Sequence, residues 1–439
     1  MRHSLVDGVI RYSTLLRNPR SRLLIGASTL SDLGDWMNIV ALTVLAYRFG
    51  DGILAVGVML ALRKIPGLLL QIPAGSLIDR VQGPRLLIVS QLLLAVVACS
   101  FSLLTAFPNL WLLYGLVTAL EMINVVTFPA FRTAVAKWTP DEQRASANAL
   151  LSLENTLAWL IGPIIGGVML AWTSASVLFV VNGLTYVVIA LAVTRVWMSG
   201  QPSGNAIAQN LDPKPGSDTT HHGSVDPDVA IPSGYRMLLR RPDVLGFGLM
   251  TIVSTMIVHG AIVIFVLRAI ALGFGEEGLG VFYAATAVGA IIGGVISGLG
   301  TYMTRSVLLM VAAMEAFNAI GFGLFAVVPQ PLLVLVILTL IGVASEIAET
   351  SALTYFQQSL PVEVYGRFFS LFLTAVKIGG LIGILLVPWL GQRIGPANAL
   401  LVLASTGTVV AVAYGLAVHI WIRREVSSAV RRLMRLVAW

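Results

Sequence analysis

Apolar residues run through this chain in long blocks separated by short polar breaks. A helix rising 1.5 Å per residue needs about 20 apolar residues to cross roughly 30 Å of hydrocarbon. Twelve blocks reach that length, at 23–47, 54–77, 86–106, 110–131, 146–172, 176–196, 244–272, 279–303, 307–328, 332–356, 368–390 and 397–422. The pattern predicts an all-α membrane protein with twelve transmembrane helices. Between the sixth and seventh blocks, residues 199–234 are rich in Pro, Gly, Ser, Asp and Asn. Such a stretch cannot bury a core and is expected to be a flexible, solvated linker.

The expected organisation is a six-helix bundle over 1–198, the linker over 199–234, a second six-helix bundle over 235–422 and a basic amphipathic tail over 423–439. The halves echo each other. Pro140-Asp141-Glu142 precedes the fifth block and Pro361-Val362-Glu363 the eleventh, with Gly162 and Gly383 following at the same offset. Parallel repeats of this kind occur in transporters that rock two halves about a site. In the tail, Val426, Val430, Leu433 and Val437 recur at helical spacing, with Arg424, Arg431 and Arg435 on another face. That pattern predicts a helix on the anionic inner leaflet.

Composition supports the lipid reading. Of 439 residues, 57% are hydrophobic and 11% charged, against about a quarter charged in a soluble protein. The net charge of +7 does not point to nucleic acid, because the basic residues sit at the ends of apolar blocks. One side carries Arg80, Arg85, Arg132, Lys137, Arg144, Arg236, Arg240, Arg241, Arg305 and Arg367, the other Arg48, Arg268 and Arg393. By the positive-inside rule the first side is cytoplasmic, with both termini inside a multi-pass protein of the cytoplasmic (inner) membrane. The first block is too long for a signal peptide and is expected to be a retained span. Cys99 stands alone, which excludes an intramolecular disulfide and a cysteine-cluster metal site; His221 and His222 in the linker are expected to be solvated. No cofactor or metal is expected, and no P-loop or hydrolase string marks an enzyme.

Ionisable residues within lipid-crossing helices normally face a cavity or a partner. On the first span Ser28, Asp32, Asp35 and Asn38 share one helical face. The fourth span repeats this with Tyr114, Thr118, Glu121 and Asn124, the seventh has Thr251, Thr255 and His259, and the tenth has Glu346 and Glu349. These are the leading helices of four three-helix units, while spans three, six and twelve carry no interior charge. The distribution predicts four helices around a polar central cavity. Arg63 and Lys64 on the second span and Lys377 on the eleventh add cations at mid-depth. Asp32 or Asp35 is expected to meet Arg63, either as a neutralising pair or as a proton carrier. Desolvation favours a neutral carboxyl and a nearby cation favours the carboxylate, so Asp35, then Glu121, with Asp32 beside them, are the proton-coupling candidates. Glu154 and Glu315 are expected to serve packing.

Two motifs bring in a family. After the second span the chain reads Gly75-Ser76-Leu77-Ile78-Asp79-Arg80, followed by Arg85. This resembles the G-x-x-x-D-R loop of the major facilitator superfamily, in the place that family puts it. The fifth span contains Ala158-x-x-x-Gly162-Pro163-Ile164-Ile165-Gly166-Gly167, similar to the antiporter motif of that superfamily's drug exporters, with Ala158 in place of a glycine. The resemblance covers nearly the whole chain and is strongest to the macrolide-efflux and enterobactin-exporter branch. It implies two six-helix bundles, a gating loop at Gly75, Asp79, Arg80 and Arg85, and a sealing helix at Gly162, Pro163, Gly166 and Gly167. The arginine that many drug:proton antiporters carry on the fourth span is absent; Glu121 is the charge there, which implies coupling by a carboxylate.

The reading that follows is a monomeric secondary transporter exporting small amphipathic molecules against protons. An uptake carrier or lipid flippase of the same fold, and a membrane sensor that does not transport, are the alternatives.

Overall fold

The computed structural model describes residues 17–80, 84–139, 143–199, 237–299 and 306–437. Among them are twelve helices of 17 residues or more. In chain order these are α1 (Pro19–Phe49), α2 (Ile53–Arg80), α3 (Pro84–Ser100, continued by a short turn at Leu103–Ala106), α4 (Leu110–Trp138), α5 (Arg144–Trp172) and α6 (Ala175–Met198). The second series is α7 (Pro242–Ala271), α8 (Leu279–Leu299), α9 (Ser306–Val327), α10 (Pro331–Ser359), α11 (Val362–Ile394) and α12 (Pro396–Val437). No strand occurs among the described residues. Backbone polar groups are therefore satisfied within each helix, as hydrocarbon requires.

Local chemistry marks the ends. Asn18 caps α1 by accepting from the Arg20 N–H at 3.0 Å, and Asn109 caps α4 through the Leu112 N–H at 3.0 Å. Pro19, Pro242 and Pro331 occupy first turns, where a missing N–H costs nothing. Gly395, at φ 89°, ends α11, a left-handed position that glycine adopts freely.

Eleven helices, α2 to α12, contain a stretch long and apolar enough to cross a membrane. The first is the exception. At 31 residues, about 46 Å, α1 has the length, but Asp32 and Asp35 interrupt its apolar run. Several helices outrun the apolar blocks: α2 continues through Arg80, α4 through Trp138, and α11 starts at Val362. A helix keeps its hydrogen bonds beyond the hydrocarbon, so hydropathy underestimates its length. The clearest case is α12, 42 residues without a break and about 63 Å long; the tail is a continuation of the last span. The linker with its two histidines and the loops 81–83 and 140–142 lie outside the described residues.

The chain forms two compact units, α1–α6 with Glu277–Val281, and the rest of α7–α12. In the first, α1 packs on α5 and α6, α2 on α4, and α3 on α6. Leu24, Leu87, Phe131, Leu151 and Val193 form a core there. In the second, α7 packs on α11, and α9 on α10 and α12. Its core is aromatic: Phe356 lies 5.0 Å from Phe247 and 4.5 Å from Phe368 between ring centroids. Leu69, Val96, Leu191, Leu332 and Val409 are largely exposed, an outer surface that suits lipid rather than water.

Close glycine contacts recur within each unit. A Cβ at Gly166 of α5 would stand 2.6 Å from the Met37 carbonyl of α1, and one at Gly162 would overlap Trp36. On α11, Gly379 and Gly383 press against the α7 carbonyls of Ile252 and Met256 in the same way. Gly162 and Gly383 are the positions that share an offset in the two halves, and fully buried Ala158 stands where the second half has Gly379. In lipid, where apolar burial drives little association, small residues that admit close backbones supply the contact. Gly166→Leu and Gly383→Leu should each destabilise the protein by about 1–3 kcal/mol through overpacking. Gly248→Leu, with nothing within 4 Å of its Cβ, should be tolerated. Thermal melting of the three detergent-solubilised variants checks this, and equal midpoints would show that the crossings have slack.

Candidate functional site

The polar face of α1 turns into its own unit, toward α5 and α6. Asp35 accepts from Asn182 Nδ2 at 3.1 Å and forms a short hydrogen bond with the Tyr186 hydroxyl. Both partners stand on α6, one turn apart, and both are fully buried or nearly so. Gly34 makes the approach feasible, since a Cβ there would overlap Asn182 Oδ1. Asp32 accepts from Asn155 Nδ2 of α5 at 3.2 Å. Glu154, also on α5, takes a short bond from Ser28 and one from Thr29 Oγ1 at 2.7 Å.

Arg63 pairs with Glu121: Nε to Oε1 is 2.8 Å, with side-chain exposures of 22% and 15%. The expected bridge from Arg63 to Asp32 or Asp35 is not the one formed. The reason is packing, because α2 lies along α4 far more than along α1, while Asp35 is already held from α6. Arg63 still acts on Asp35 through space.

Asp35 borders two voids. One, of about 10 Å³, is lined by Asp35, Asn38, Arg63, Glu121 and Asn182, room for roughly one water. Asn38, 3% exposed, has an Oδ1 without a hydrogen-bond partner among the described residues. The other void, about 70 Å³, is lined by Ser28, Asp32, Asp35, Asn124, Arg132, Glu154 and Tyr186 among others. Asp35 thus joins a polar, hydratable chamber to the Arg63–Glu121 pair.

The other predicted residues are more dispersed. Thr118 bonds back to the Tyr114 carbonyl at 2.8 Å and, with Trp111 and Tyr114, lines an open groove of about 750 Å³ along α2 and α4. In the second unit Thr255 bonds the Thr251 carbonyl at 2.7 Å, and His259 Nδ1 lies 2.9 Å from the Thr255 carbonyl, its ring against Gly380. Glu346 accepts from Thr350 at 3.0 Å. Glu349 and Lys377 are exposed on α10 and α11. Gly75, Asp79 and Arg80 fall on the last turns of α2, with their side chains outside the described residues. Arg85 sits 5.7 Å from the Trp197 ring. Pro163 and Gly167 lie on α5 beside the glycines that contact α1.

Sequence reading missed Asn182, Tyr186 and Asn155. Spacing offered a signal for two of them: Asn182, Thr185 and Tyr186 form a polar stripe in the middle of the sixth span. It went unread because none of the three is charged.

Membrane-length helices that hold carboxyls beside small interior voids are the build of a multi-pass membrane transporter. The chain belongs to the Major Facilitator Superfamily, whose family model matches residues 24–384. It is 27% identical over 256 residues to the enterobactin exporter EntS of Salmonella typhimurium, covering 58% of this chain and 57% of that protein. It is 26% identical over 172 residues to the uncharacterized MFS-type transporter YfiS of Bacillus subtilis, covering 38% and 40%. Over 113 residues it is 30% identical to the putative multidrug resistance protein MdtD of Pectobacterium carotovorum, covering 26% and 24%. Each match thus spans less than two thirds of the relative. The fold is similar to a bacterial homolog of the human lysosomal transporter Spinster in its inward-facing, unoccupied conformation (TM-score 0.64, 14% identity, 92% and 98% of the two chains). It is also similar to the nucleoside transporter NupG (TM-score 0.67, 11% identity, 91% and 99%).

The Arg63–Glu121 pair makes a separable prediction. Removing one partner strands a charge and should cost about 3 kcal/mol, whereas replacing both by apolar side chains should be close to neutral. Arg63→Met should therefore lower the melting point and Arg63→Met with Glu121→Leu should restore it. A double variant no more stable than the single one would refute the pairing.

Proposed function

We propose that this chain exports small amphipathic molecules from the cytoplasm in exchange for protons, by alternating access. The observation that carries this reading is Asp35, a carboxyl held by neutral donors at the junction of two voids. Ionised, it keeps its bonds from Asn182 and Tyr186 and feels Arg63 beyond them. Protonated, it loses its charge while Arg63 remains neutralised by Glu121. The site therefore changes net charge by one without leaving a stranded cation, which is what a proton carrier requires. Glu121 is the second candidate and Asp32 the third.

The likeness to an enterobactin exporter supports the outward direction. Around the two voids Asp32, Asp35, Glu121 and Glu154 outnumber Arg63 and Arg132, which favours a cationic or zwitterionic amphiphile, macrolide-like in character. The excess of basic residues on one side supports a cytoplasmic linker and cytoplasmic termini in an inner-membrane protein. Asp79 and its neighbours then form a cytoplasmic gating loop.

Reconstituted protein should drive efflux of a cationic dye such as ethidium when a pH gradient is imposed. Asp35→Asn should still bind the dye but lose gradient-driven efflux. Gradient-driven efflux at the wild-type rate in both Asp35→Asn and Glu121→Gln would sink carboxylate coupling. Reporter fusions within 199–234 and at the C-terminus should read as cytoplasmic; a periplasmic signal from either would invert the topology.

A further inference from the structure

The second unit contains a carboxyl that the export cycle above leaves unused. Glu315 stands on α9, and Ser254 Oγ of α7 donates to its Oε2 at 2.6 Å. The Asn318 carboxamide, one turn along α9, is its second hydrogen-bonding neighbour. A void of about 10 Å³ adjoins all three, otherwise lined by apolar side chains and Gly407 from α7, α9 and α12. No basic side chain lines it. Glu349 on α10 is within electrostatic reach of Glu315, and Glu346 within reach of Glu349. On α7, His259 is turned to the Thr255 carbonyl.

This arrangement repeats the setting of Asp35. There too the carboxyl is held by one hydroxyl and one carboxamide, with a one-water void beside it. A further detail points to a ligand. Asn318 is only 4% exposed, and its Oδ1 has no hydrogen-bond partner among the described residues. An orphaned buried acceptor costs about 1–3 kcal/mol, so an acceptor left beside a carboxyl calls for a donor. We infer that Glu315 is a second proton-binding site, carried by the C-terminal unit and independent of Asp35. The carboxylate takes one proton from water and becomes a neutral carboxylic acid. Its O–H then donates to Asn318 Oδ1 after a half-turn of the amide, while Ser254 remains on the other oxygen. A hydrated metal ion does not fit the void, and a proton does. The inference rests on the export reading only for its consequence: one carboxyl per unit moves two protons per cycle.

Infrared difference spectra of the full chain in lipid nanodiscs, recorded between acid and alkaline buffer, test the site without any substrate. The carboxylic C=O signal should lose one component in Glu315→Gln and a different one in Asp35→Asn. Ser254→Ala, a milder change, should shift the frequency of the Glu315 component alone, because it removes the hydroxyl bond. A Glu315 component that persists in Asp35→Asn protein supports the site even if Asp35 proves silent and the coupling role proposed for it falls. A Glu315→Gln spectrum that superimposes on wild type, or a signal indifferent to Ser254→Ala, overturns the inference.

Discussion

A charge at the centre of a bilayer costs about 2.5–3.5 kcal/mol by insertion scales, and that cost orders the polar residues of this protein. The helix richest in them is α1, which lacks a sufficiently apolar window of its own. It lies under α5 and α6 instead, and every residue from Met37 to Ala46 is buried. Neighbouring helices supply the apolar surface that α1 does not have. A helix screened in this way can carry Ser28, Asp32, Asp35 and Asn38 on one face, because each meets protein or a hydratable void. Glycines of α5 and of α1 itself make the screening close. Gly162 and Gly166 bring α5 against the α1 backbone, and Gly34 lets Asn182 reach the Asp35 carboxyl.

Two kinds of buried carboxyl result. Glu121 is held by a cation, so taking away its charge strands Arg63. Asp35, Glu154 and Glu315 are held by hydroxyls and carboxamides, with no salt bridge among the bonds described. For the second kind, gaining a proton rearranges hydrogen bonds but leaves no ion unpaired. The physical difference separates a pair that ties α2 to α4 by charge from carboxyls held by neutral donors alone. Void volumes point the same way, since Asp35 and Glu315 each border space for about one water.

The glycine crossings bear on motion. Backbones in direct contact leave no slack for one helix to slide past its neighbour, so α1 with α5, and α7 with α11, each behave as one piece. A rigid pair is what a transporter needs if each half is to move as a body rather than deform. The same crossing in both units, at positions related by the repeat, gives each half the same internal brace.

Length and hydropathy alone determined eleven of the long helices and their apolar exterior, because crossing hydrocarbon demands long apolar runs whatever the packing; α1, without such a window, owes its place to α5 and α6. The repeat of glycines was equally legible, and so was the polar face of α1, since helical period places Asp32, Asp35 and Asn38 together in any fold. Partners were another matter. Whether Arg63 meets Asp35 or Glu121 depends on which helix α2 lies along, and depth along a span is silent on that. Asn182 and Tyr186 bear no charge, so only their spacing set them apart, and that Asp35 is their partner was decided by the packing of α6 on α1. Helices extend past the apolar blocks at several ends, most of all in α12, because hydropathy records where lipid stops and not where hydrogen bonding stops. Period and polarity are properties of one segment and can be read from it; a hydrogen bond across helices belongs to two segments, and only their packing decides it.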